Sequence, residues 1–247
     1  MTIDIKERLD ELAQRYNISS FIEHDPVQFP HRYVVLQDIE ISALLTAIIS
    51  WGNRASILKS AEKMLALMGN SPYDYVMSEG YCRLRDGNIH RTFFETDLLY
   101  MCVGLRAIYN QYNSLEDVFV DKPNVWDGLG TLRALFSKAN GGQSSKHLSN
   151  PASGSACKRL NMALRWLVRK DGIVDLGVWK RMSPADLYIP LDVHVARISR
   201  EFSILHRKTN DRKAVEELTS FLRKLNSEDP TIYDFALFGL GEETVNK

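Results

Sequence analysis

The sequence has neither an excess of charge of one sign nor a long apolar run. Its 247 residues carry 31 Lys and Arg against 31 Asp and Glu, and 45% are hydrophobic. This balance excludes a disordered, collagenous or supercharged chain. No segment reaches the roughly 20 consecutive apolar residues of a membrane-spanning helix, and the first residues lack the basic-then-apolar order of a signal peptide. We therefore expect a cytoplasmic globular protein without membrane contact.

Cysteine is also scarce. Cys82, Cys102 and Cys157 are odd in number and widely separated, so they predict reduced thiols rather than a disulfide framework. They do not support a four-cysteine zinc or iron–sulfur site, and we expect no cofactor and no iron–sulfur cluster. His24-Asp25 is a weak signal for a divalent metal. No second histidine–aspartate pair accompanies it at ligand spacing, so no metal site is predicted.

The net neutrality conceals an uneven distribution of charge. Residues 158–213 contain 13 basic and six acidic residues, so the rest of the chain contains 18 basic and 25 acidic residues. A locally basic face on a neutral protein is able to meet a phosphate backbone. The charge pattern therefore leaves nucleic acid open as a partner.

Helical periodicity dominates the chain, and no convincing alternating β pattern is present. Residues 38–51 are apolar nearly all round after an acidic start, which predicts a central buried helix. Arg54–Met68 has apolar residues along one side and is followed by a Gly-Asn-Ser-Pro stop. Further helices are predicted over residues 5–17, 92–112, 124–139, 155–169, 193–206, 211–226 and 231–239. The expected fold class is all-α.

The helix predicted over residues 155–169 has an apolar face and, opposite it, a basic stripe of Lys158, Arg165 and Arg169. The stripe fits either a solvated helix surface or contacts with phosphates. Lys158 lies in the first turn after a Gly/Ser-rich stretch, where backbone N–H groups and the helix dipole favour an anion and disfavour a protonated amine. A lysine in that position can be a nucleophile, because only its neutral form attacks carbon.

A second informative segment reads Tyr188-Ile-Pro-Leu-Asp-Val-His-Val-Ala-Arg-Ile. On its own, Asp192 is a typical helix N-cap. The phrase Pro-Leu-Asp-Val-His-Val-x-Arg resembles the Pro-Val-Asp-x-His-Val-x-Arg phrase of the helix-hairpin-helix DNA glycosylase superfamily. The resemblance implies that Asp192 is catalytic and that Lys158, on the preceding hairpin, forms a Schiff base with the sugar. His194 is interpreted as a support for the turn rather than a general base.

Two features distinguish the chain within that superfamily. The usual Leu-Pro-Gly-Val-Gly hairpin is replaced by Asn150-Pro-Ala-Ser-Gly-Ser-Ala-Cys-Lys, and 34 positions separate Lys158 from Asp192. The spacing is similar to that in the archaeal 8-oxoguanine DNA glycosylases, whose hairpin is also atypical. The whole chain is also similar to a widespread bacterial family of uncharacterised proteins.

The resemblance implies a single helical glycosylase-like domain over residues 1–247, with two lobes around a central cleft. The turn-rich segment 139–155 is interpreted as a hinge, a lobe boundary or a ligand-facing hairpin. The atypical hairpin and the catalytic residues are expected within residues 150–200.

The resemblance extends weakly towards both ends of the chain. Ser50-Trp-Gly-Asn-Arg stands where Ser-Ala-Gln-Ala-Thr is common, so Trp51 would offer a stacking surface, Asn53 amide hydrogen bonds and Arg54 a phosphate contact. A buried tryptophan and a solvated arginine are the alternatives. Asp234 and Phe238 resemble the aspartate and aromatic residue that hold the purine in the archaeal branch. The alternative places Asp234 at a helix start and Phe238 in the core.

These features together predict a base-excision repair DNA glycosylase with AP lyase activity, which flips out and removes an oxidised purine of the 8-oxoguanine type. Damaged DNA is the expected partner. A non-catalytic helix-hairpin-helix-like DNA-binding protein is the main alternative, and an all-α protein-interaction domain is a third. The expected contacts with the DNA backbone are Arg54, Arg165, Arg169, Arg197 and Arg200.

Overall fold

The computed structural model describes residues 4–244, so residues 1–3 and 245–247 of the predicted domain lie outside it. The described chain is predominantly helical, which confirms the all-α fold class. Its helices, numbered in chain order, are α1 Ile5–Tyr16, α2 Ser20–Glu23, α3 Leu36–Ile49, α4 Arg54–Met68, α5 Pro72–Met77, α6 Glu95–Tyr109, α7 Val125–Ala139, α8 Lys158–Val168, α9 Val193–Glu201, α10 Arg212–Leu225 and α11 Tyr233–Glu243. Two short antiparallel strands, β1 Asn88–His90 and β2 Phe93–Phe94, form a hairpin. Within the described part, none of these helices has the length and apolar character needed to cross a membrane.

The described chain forms two compact units. The terminal unit, as we name it, combines the residues up to Glu23 with those from Pro151 onward, and the central unit runs from His24 to Asn150. The boundary between Asn150 and Pro151 falls inside the turn-rich segment 139–155. Every residue of the basic segment 158–213 therefore belongs to the terminal unit.

In the terminal unit, α11 packs against α1 and α9. Tyr233 on α11 donates a hydrogen bond of 2.8 Å to Asp10 on α1, and Tyr16 on α1 donates one to Glu243 on α11. The side chain of Phe235 is 1% exposed. The centre of this unit is thus a mostly apolar helix, tied to α1 by hydrogen bonds near both of its ends.

In the central unit, α3 is the buried helix that the sequence predicts, because every residue from Asp38 to Ile49 is buried. Glu40 lies within this apolar surrounding, where an unpaired carboxylate would be costly. It accepts hydrogen bonds from the Tyr109 hydroxyl at 3.0 Å, from the Ser114 hydroxyl and from the Leu115 amide at 3.1 Å. These bonds attach the segment that follows α6 to α3.

The β1–β2 hairpin is the main departure from the predicted elements. It occupies the start of the helix predicted over residues 92–112, so that α6 begins only at Glu95. Arg91, in the turn of the hairpin, has a left-handed backbone with φ of +50°. Strands of two and three residues are too short to produce the alternating pattern by which a strand is identified.

Candidate functional site

The turn before α8 places Lys158 at the first position of that helix. Residues Pro151–Ser153 form a 3-10 turn, and Gly154 and Cys157 follow with φ of +80° and +47°. Such left-handed residues interrupt a right-handed helix, which is why α8 starts three residues later than predicted. Cys157 provides no side-chain cap to the first N–H groups of α8.

The same turn is attached to the start of α10. The Arg212 amide donates a hydrogen bond of 2.9 Å to the Gly154 carbonyl, and Ser155 forms a β-bridge with Asp211. Asp211 caps α10 and pairs with the Arg207 guanidinium, whose hydrogen bond lowers the pKa of that carboxyl. The backbone beside Lys158 is therefore held from a second segment of the terminal unit.

Asp192 is the N-cap of α9, as its position in the sequence predicts. Its Oδ1 accepts hydrogen bonds from the amides of His194 and Val195, both at 2.9 Å. Within residues 4–244, its Oδ2 forms no hydrogen bond. Capping thus uses one carboxylate oxygen and leaves the other for a further role.

Asp234, in the first turn of α11, is 5% exposed and pairs with the Arg165 guanidinium. Burial raises the pKa of Asp234 to about 6, although Arg165 opposes the rise; Asp192 raises this pKa further, whereas Lys158 lowers it. Coulomb interactions weaken as the distance between the charges grows. Lys158, Asp192 and Asp234 are therefore electrostatically coupled within the terminal unit.

The Asp234 carboxyl is satisfied on only one side. Its Oδ2 faces Arg165, whereas its Oδ1 is buried and has no hydrogen-bond partner among the described residues. Buried polar atoms without a partner are uncommon in folded proteins. The group is able to hold a proton or accept a hydrogen bond at this oxygen.

The structure corrects the predicted role of Arg165 and Arg169, which are 4% and 2% exposed. They converge on the fully buried Asp175, at 3.3 and 2.7 Å, and Arg169 also pairs with Asp171 at 2.6 Å and Asp229 at 2.7 Å. Both guanidinium groups face carboxylates inside the fold, so they are not available to DNA phosphates. We name these six residues the α8 ion cluster: Arg165, Arg169, Asp171, Asp175, Asp229 and Asp234.

Electrostatics within the α8 ion cluster favour the ionised form of Arg169. Burial alone would lower its pKa, but the carboxylates of Asp175, Asp229 and Asp171 raise it above the ordinary value. Sequence analysis did not single out Asp175. A signal was nevertheless present, because Asp171 and Asp175 directly follow the helix and a short loop is able to return them to its last turn.

Two further residues of the terminal unit, Arg197 and Arg200, are predicted to contact the DNA backbone. Both have partners within the fold. Arg197 pairs with Glu201 at 2.8 Å and donates a hydrogen bond of 3.0 Å to the Gly241 carbonyl. Arg200 donates hydrogen bonds of 2.8 to 3.0 Å to the Arg207 carbonyl. Both side chains remain partly exposed. Their contact with DNA stays a prediction.

Phe238 is half-buried on α11. Its ring lies edge-on to the rings of Phe21, at 6.4 Å, and His194, at 6.1 Å. These contacts join α11 to α2 and α9. Phe238 therefore contributes to packing with part of its surface, while its contact with a purine stays a prediction.

Trp51 lies in the turn between α3 and α4 of the central unit. Its ring is half-buried, stacks on His147 at 5.4 Å and meets the edge of His90 at 4.8 Å. His90 places Nε2 at 2.9 Å from the Trp51 carbonyl and Nδ1 at 2.9 Å from the Ser60 hydroxyl. Because a carbonyl only accepts hydrogen bonds, Nε2 carries the proton. Two buried histidines thus hold this turn in place.

Asn53 and Arg54 follow in the same turn. Asn53 is the N-cap of α4, and its side-chain oxygen accepts a hydrogen bond of 3.2 Å from the Ser56 amide. Arg54 is the first residue of α4 and is half-buried. The predicted residues are therefore grouped within each unit: Trp51, Asn53 and Arg54 in the central unit, and Lys158, Asp192, Asp234 and Phe238 in the terminal unit.

The weak metal signal at His24-Asp25 has a structural explanation. Asp25 caps a 3-10 turn by accepting a hydrogen bond of 3.0 Å from the Val27 amide. No group of three or more His, Cys, Asp or Glu side chains that could hold a metal ion occurs in the part of the chain described. The three cysteines, Cys82, Cys102 and Cys157, form no disulfide bond there.

Comparison with known proteins places the chain in a family. Residues 25–243 match the family model described as protein of unknown function, DUF2400. The chain belongs to the DUF2400 family. The match includes Lys158, Asp192 and Asp234, whereas α1 precedes it. No curated protein and no solved structure matches the chain.

Proposed function

We propose that this protein is a base-excision repair DNA glycosylase with AP lyase activity, built on a helix-hairpin-helix glycosylase arrangement. The observation that carries the proposal is that the cap of α9 leaves the Asp192 Oδ2 without a hydrogen bond, while Lys158 begins α8 without an ion pair among residues 4–244. Beside the larger effects of burial and Arg165, the lysine lowers the pKa of Asp234 and the aspartate raises it. The two residues that the superfamily resemblance pairs therefore act on one buried carboxyl.

In the proposed reaction, the neutral Lys158 amine attacks C1′ of the damaged nucleotide. The glycosidic bond breaks, and its electron pair leaves with the base. Asp192 stabilises the positive charge that develops on the sugar and accepts the proton released from the lysine nitrogen, which then passes to the departing base. The Asp192 Oδ2 suits this task because Oδ1 is occupied by the cap of α9.

The lyase step follows from the same intermediate. Opening of the sugar ring converts the C1′ amine into a Schiff base with Lys158. Loss of a C2′ proton then expels the 3′ phosphate by β-elimination, and the strand is nicked. Hydrolysis of the Schiff base by water finally releases Lys158.

The substrate class is an oxidised purine of the 8-oxoguanine type. This assignment depends on the resemblance of Asp234 and Phe238 to the purine-holding residues of the archaeal branch. Support comes from the Asp234 Oδ1, which has no partner within residues 4–244 and is an acceptor for a purine N–H. Because this oxygen is buried, the purine would reach it only after the side chains that cover it move. The expected partner is therefore damaged DNA with the purine flipped out of the stack.

The test is borohydride trapping of the protein on duplexes that contain 8-oxoguanine or an abasic site. Borohydride reduces the Schiff base to an amine, so a covalent adduct appears on a denaturing gel. We expect an adduct with the wild-type protein, none with Lys158→Gln and a strongly reduced yield with Asp192→Asn. Lys170→Gln is the matched control, because Lys170 is exposed just beyond the other end of the same helix.

The outcome identifies both the reaction and the nucleophile. An adduct that persists in Lys158→Gln would assign the Schiff base to another residue. If the folded wild-type protein neither forms an adduct nor releases 8-oxoguanine, the glycosylase proposal fails.

One observation favours the alternative, a helix-hairpin-helix-like protein that binds DNA without catalysis. Asn53, expected to supply amide hydrogen bonds to a base, uses its side-chain oxygen to cap α4. In this alternative, DNA binding weakens as salt increases, because basic side chains displace counterions from the phosphates. Salt-dependent binding without any adduct or base release would favour it.

A further inference from the structure

The turn between α3 and α4 and the β1–β2 hairpin meet at Gly52. Gly52 has a left-handed backbone with φ of +97°, and a β-carbon built on it would overlap the Arg91 guanidinium. The backbone conformation disfavours a side chain at position 52. The flexible end of Arg91 would also have to move to make room for one, because the guanidinium lies against Gly52.

The hairpin holds Arg91 in an uncommon conformation. A φ of +50° is rare for a residue other than glycine. The Asn88 side chain donates a hydrogen bond of 2.7 Å to the Arg91 carbonyl, and the Asn88 carbonyl accepts one of 2.6 Å from Lys63 on α4. Unfavourable backbone conformations persist where surrounding contacts impose them, and they are concentrated at binding and catalytic sites.

Arg91 has no counter-ion within residues 4–244. Among the residues that the structure describes, its exposed guanidinium takes part in no hydrogen bond or ion pair. The two carboxylates that follow the hairpin have other partners, since Glu95 accepts a hydrogen bond of 2.7 Å from the Arg85 amide and Asp97 accepts one of 2.9 Å from the Phe94 amide. The hairpin thus fixes the backbone of Arg91, while its guanidinium has no partner among the described residues.

We propose that Gly52, Asn53 and Arg91 form a binding site for a phosphate group of a nucleic-acid backbone. The planar guanidinium presents N–H groups in a fork that fits two phosphate oxygens. Asn53 is exposed, so its side-chain nitrogen adds a donor from the same turn, and Gly52 presents no side chain that would keep a phosphate away. Nucleic acid as the source of the phosphate rests on the proposed function, whereas the phosphate site itself does not.

The first arm of the test measures DNA binding by the full-length protein. Fluorescence anisotropy follows a fluorescein-labelled duplex of about 20 base pairs between 50 and 200 mM salt. We expect Arg91→Gln to weaken binding irrespective of sequence and to reduce the slope of log affinity against log salt by about 0.9, the value for one lost phosphate contact. The matched control is Arg83→Gln, since Arg83 is an exposed arginine of the same unit.

The second arm uses inorganic phosphate alone. Nitrogen-15 NMR of the arginine Nε–Hε groups identifies the Arg91 signal by its absence from Arg91→Gln. We expect phosphate to shift this signal in the wild-type protein and in Arg83→Gln, saturably and more than the other arginine signals. A circular dichroism melt of each variant verifies that the fold is retained.

The two arms separate the possible failures. A phosphate-dependent shift in a protein that does not bind DNA supports the site and contradicts the proposed function. If phosphate shifts the Arg91 signal but Arg91→Gln binds DNA with an unchanged salt slope, the ligand of the site is free phosphate and not nucleic acid. A reduced slope supports the proposal even without a response to free phosphate. An unchanged slope and no shift overturn it, whether or not the borohydride adduct forms.

Discussion

The two ends of α8 carry the same kind of side chain in different surroundings. At the C-terminal end, Arg165 and Arg169 are buried and face carboxylates of the α8 ion cluster. At the N-terminal end, Lys158 is half-buried beside a turn that provides no side-chain cap. A cation enclosed by carboxylates supports the fold, because removing it leaves buried charges unpaired. Lys158 forms no ion pair with any residue that the structure describes, so the effect of its substitution on chemistry can be tested separately from its effect on stability.

The largest expected effect is the loss of stability on breaking the α8 ion cluster. Arg169→Leu leaves three carboxylates without this counter-ion, so we expect the free energy of unfolding to fall by about 3–5 kcal/mol. Urea denaturation followed by circular dichroism measures the change. The exposed neighbour Lys170→Leu is the control and should change stability by less than about 0.5 kcal/mol. If both substitutions changed the free energy of unfolding equally, the buried Arg169 would contribute no more to stability than the exposed Lys170.

The next largest effect is expected in the pH dependence of stability, through the buried Asp234 that pairs with Arg165. Burial raises the pKa of Asp234 from its ordinary value of 3.8 to about 6. The native state therefore keeps this proton while the unfolded chain loses it, and the contribution of Asp234 to stability, complete below about pH 4, is lost as the pH rises through 6. We expect Asp234→Asn to gain stability relative to the wild-type protein between pH 4 and 6.

Asp211 provides a contrast of opposite sign for the same measurement. Its hydrogen bond with Arg207 lowers the pKa of this carboxyl below the ordinary value. Asp211 stabilises the native state above about pH 4, and this contribution is lost on acidification. Asp211→Asn should therefore lose stability relative to the wild-type protein as the pH rises towards 4. Urea titrations at a series of pH values measure the stability of each variant relative to the wild-type protein. If this difference changed in the same direction with pH for both variants, the assignment for Asp234 would be contradicted.

A smaller effect is expected where Asp192 caps α9. Asp192→Ala removes the acceptor of two amide hydrogen bonds, and we expect a loss of about 1 kcal/mol. Asp192→Asn keeps an N-cap of similar quality and should be close to the wild-type protein in stability. Thermal unfolding measures both variants. If both variants form much less of the borohydride adduct while only Asp192→Ala loses stability, the cap and the chemistry are separate roles of one side chain.

The smallest effect on stability is expected at Lys158. Its half-buried amine donates a hydrogen bond of 3.5 Å to the Met162 sulfur and has no ion pair among the described residues, so Lys158→Gln should change the free energy of unfolding by no more than about 0.5 kcal/mol. The same variant should abolish the borohydride adduct. Denaturation and trapping on one protein preparation provide the comparison. A loss of stability as large as that of Arg169→Leu would place Lys158 among the structural cations.

Sequence patterns anticipated the helices better than the surroundings of their side chains. α4 begins at Arg54 and ends at Met68 as predicted, because a continuous amphipathic pattern and a Gly-Asn-Ser-Pro stop define it locally. Helical spacing also placed Arg165 and Arg169 on the side opposite the apolar face. It did not reveal that this side is covered, because the covering carboxylates come from other segments, including Asp229, 60 positions beyond Arg169.

Local chemistry in the sequence determined the all-α class, the position of most helices and the cap at Asp192, since these features depend on hydrogen bonds between residues a few positions apart. Tertiary structure alone decided which cations of α8 are buried and how far the pKa of Asp234 is raised. It also placed Arg91 over Gly52. These properties depend on contacts between distant segments, and a periodic pattern carries no information about which segments will meet.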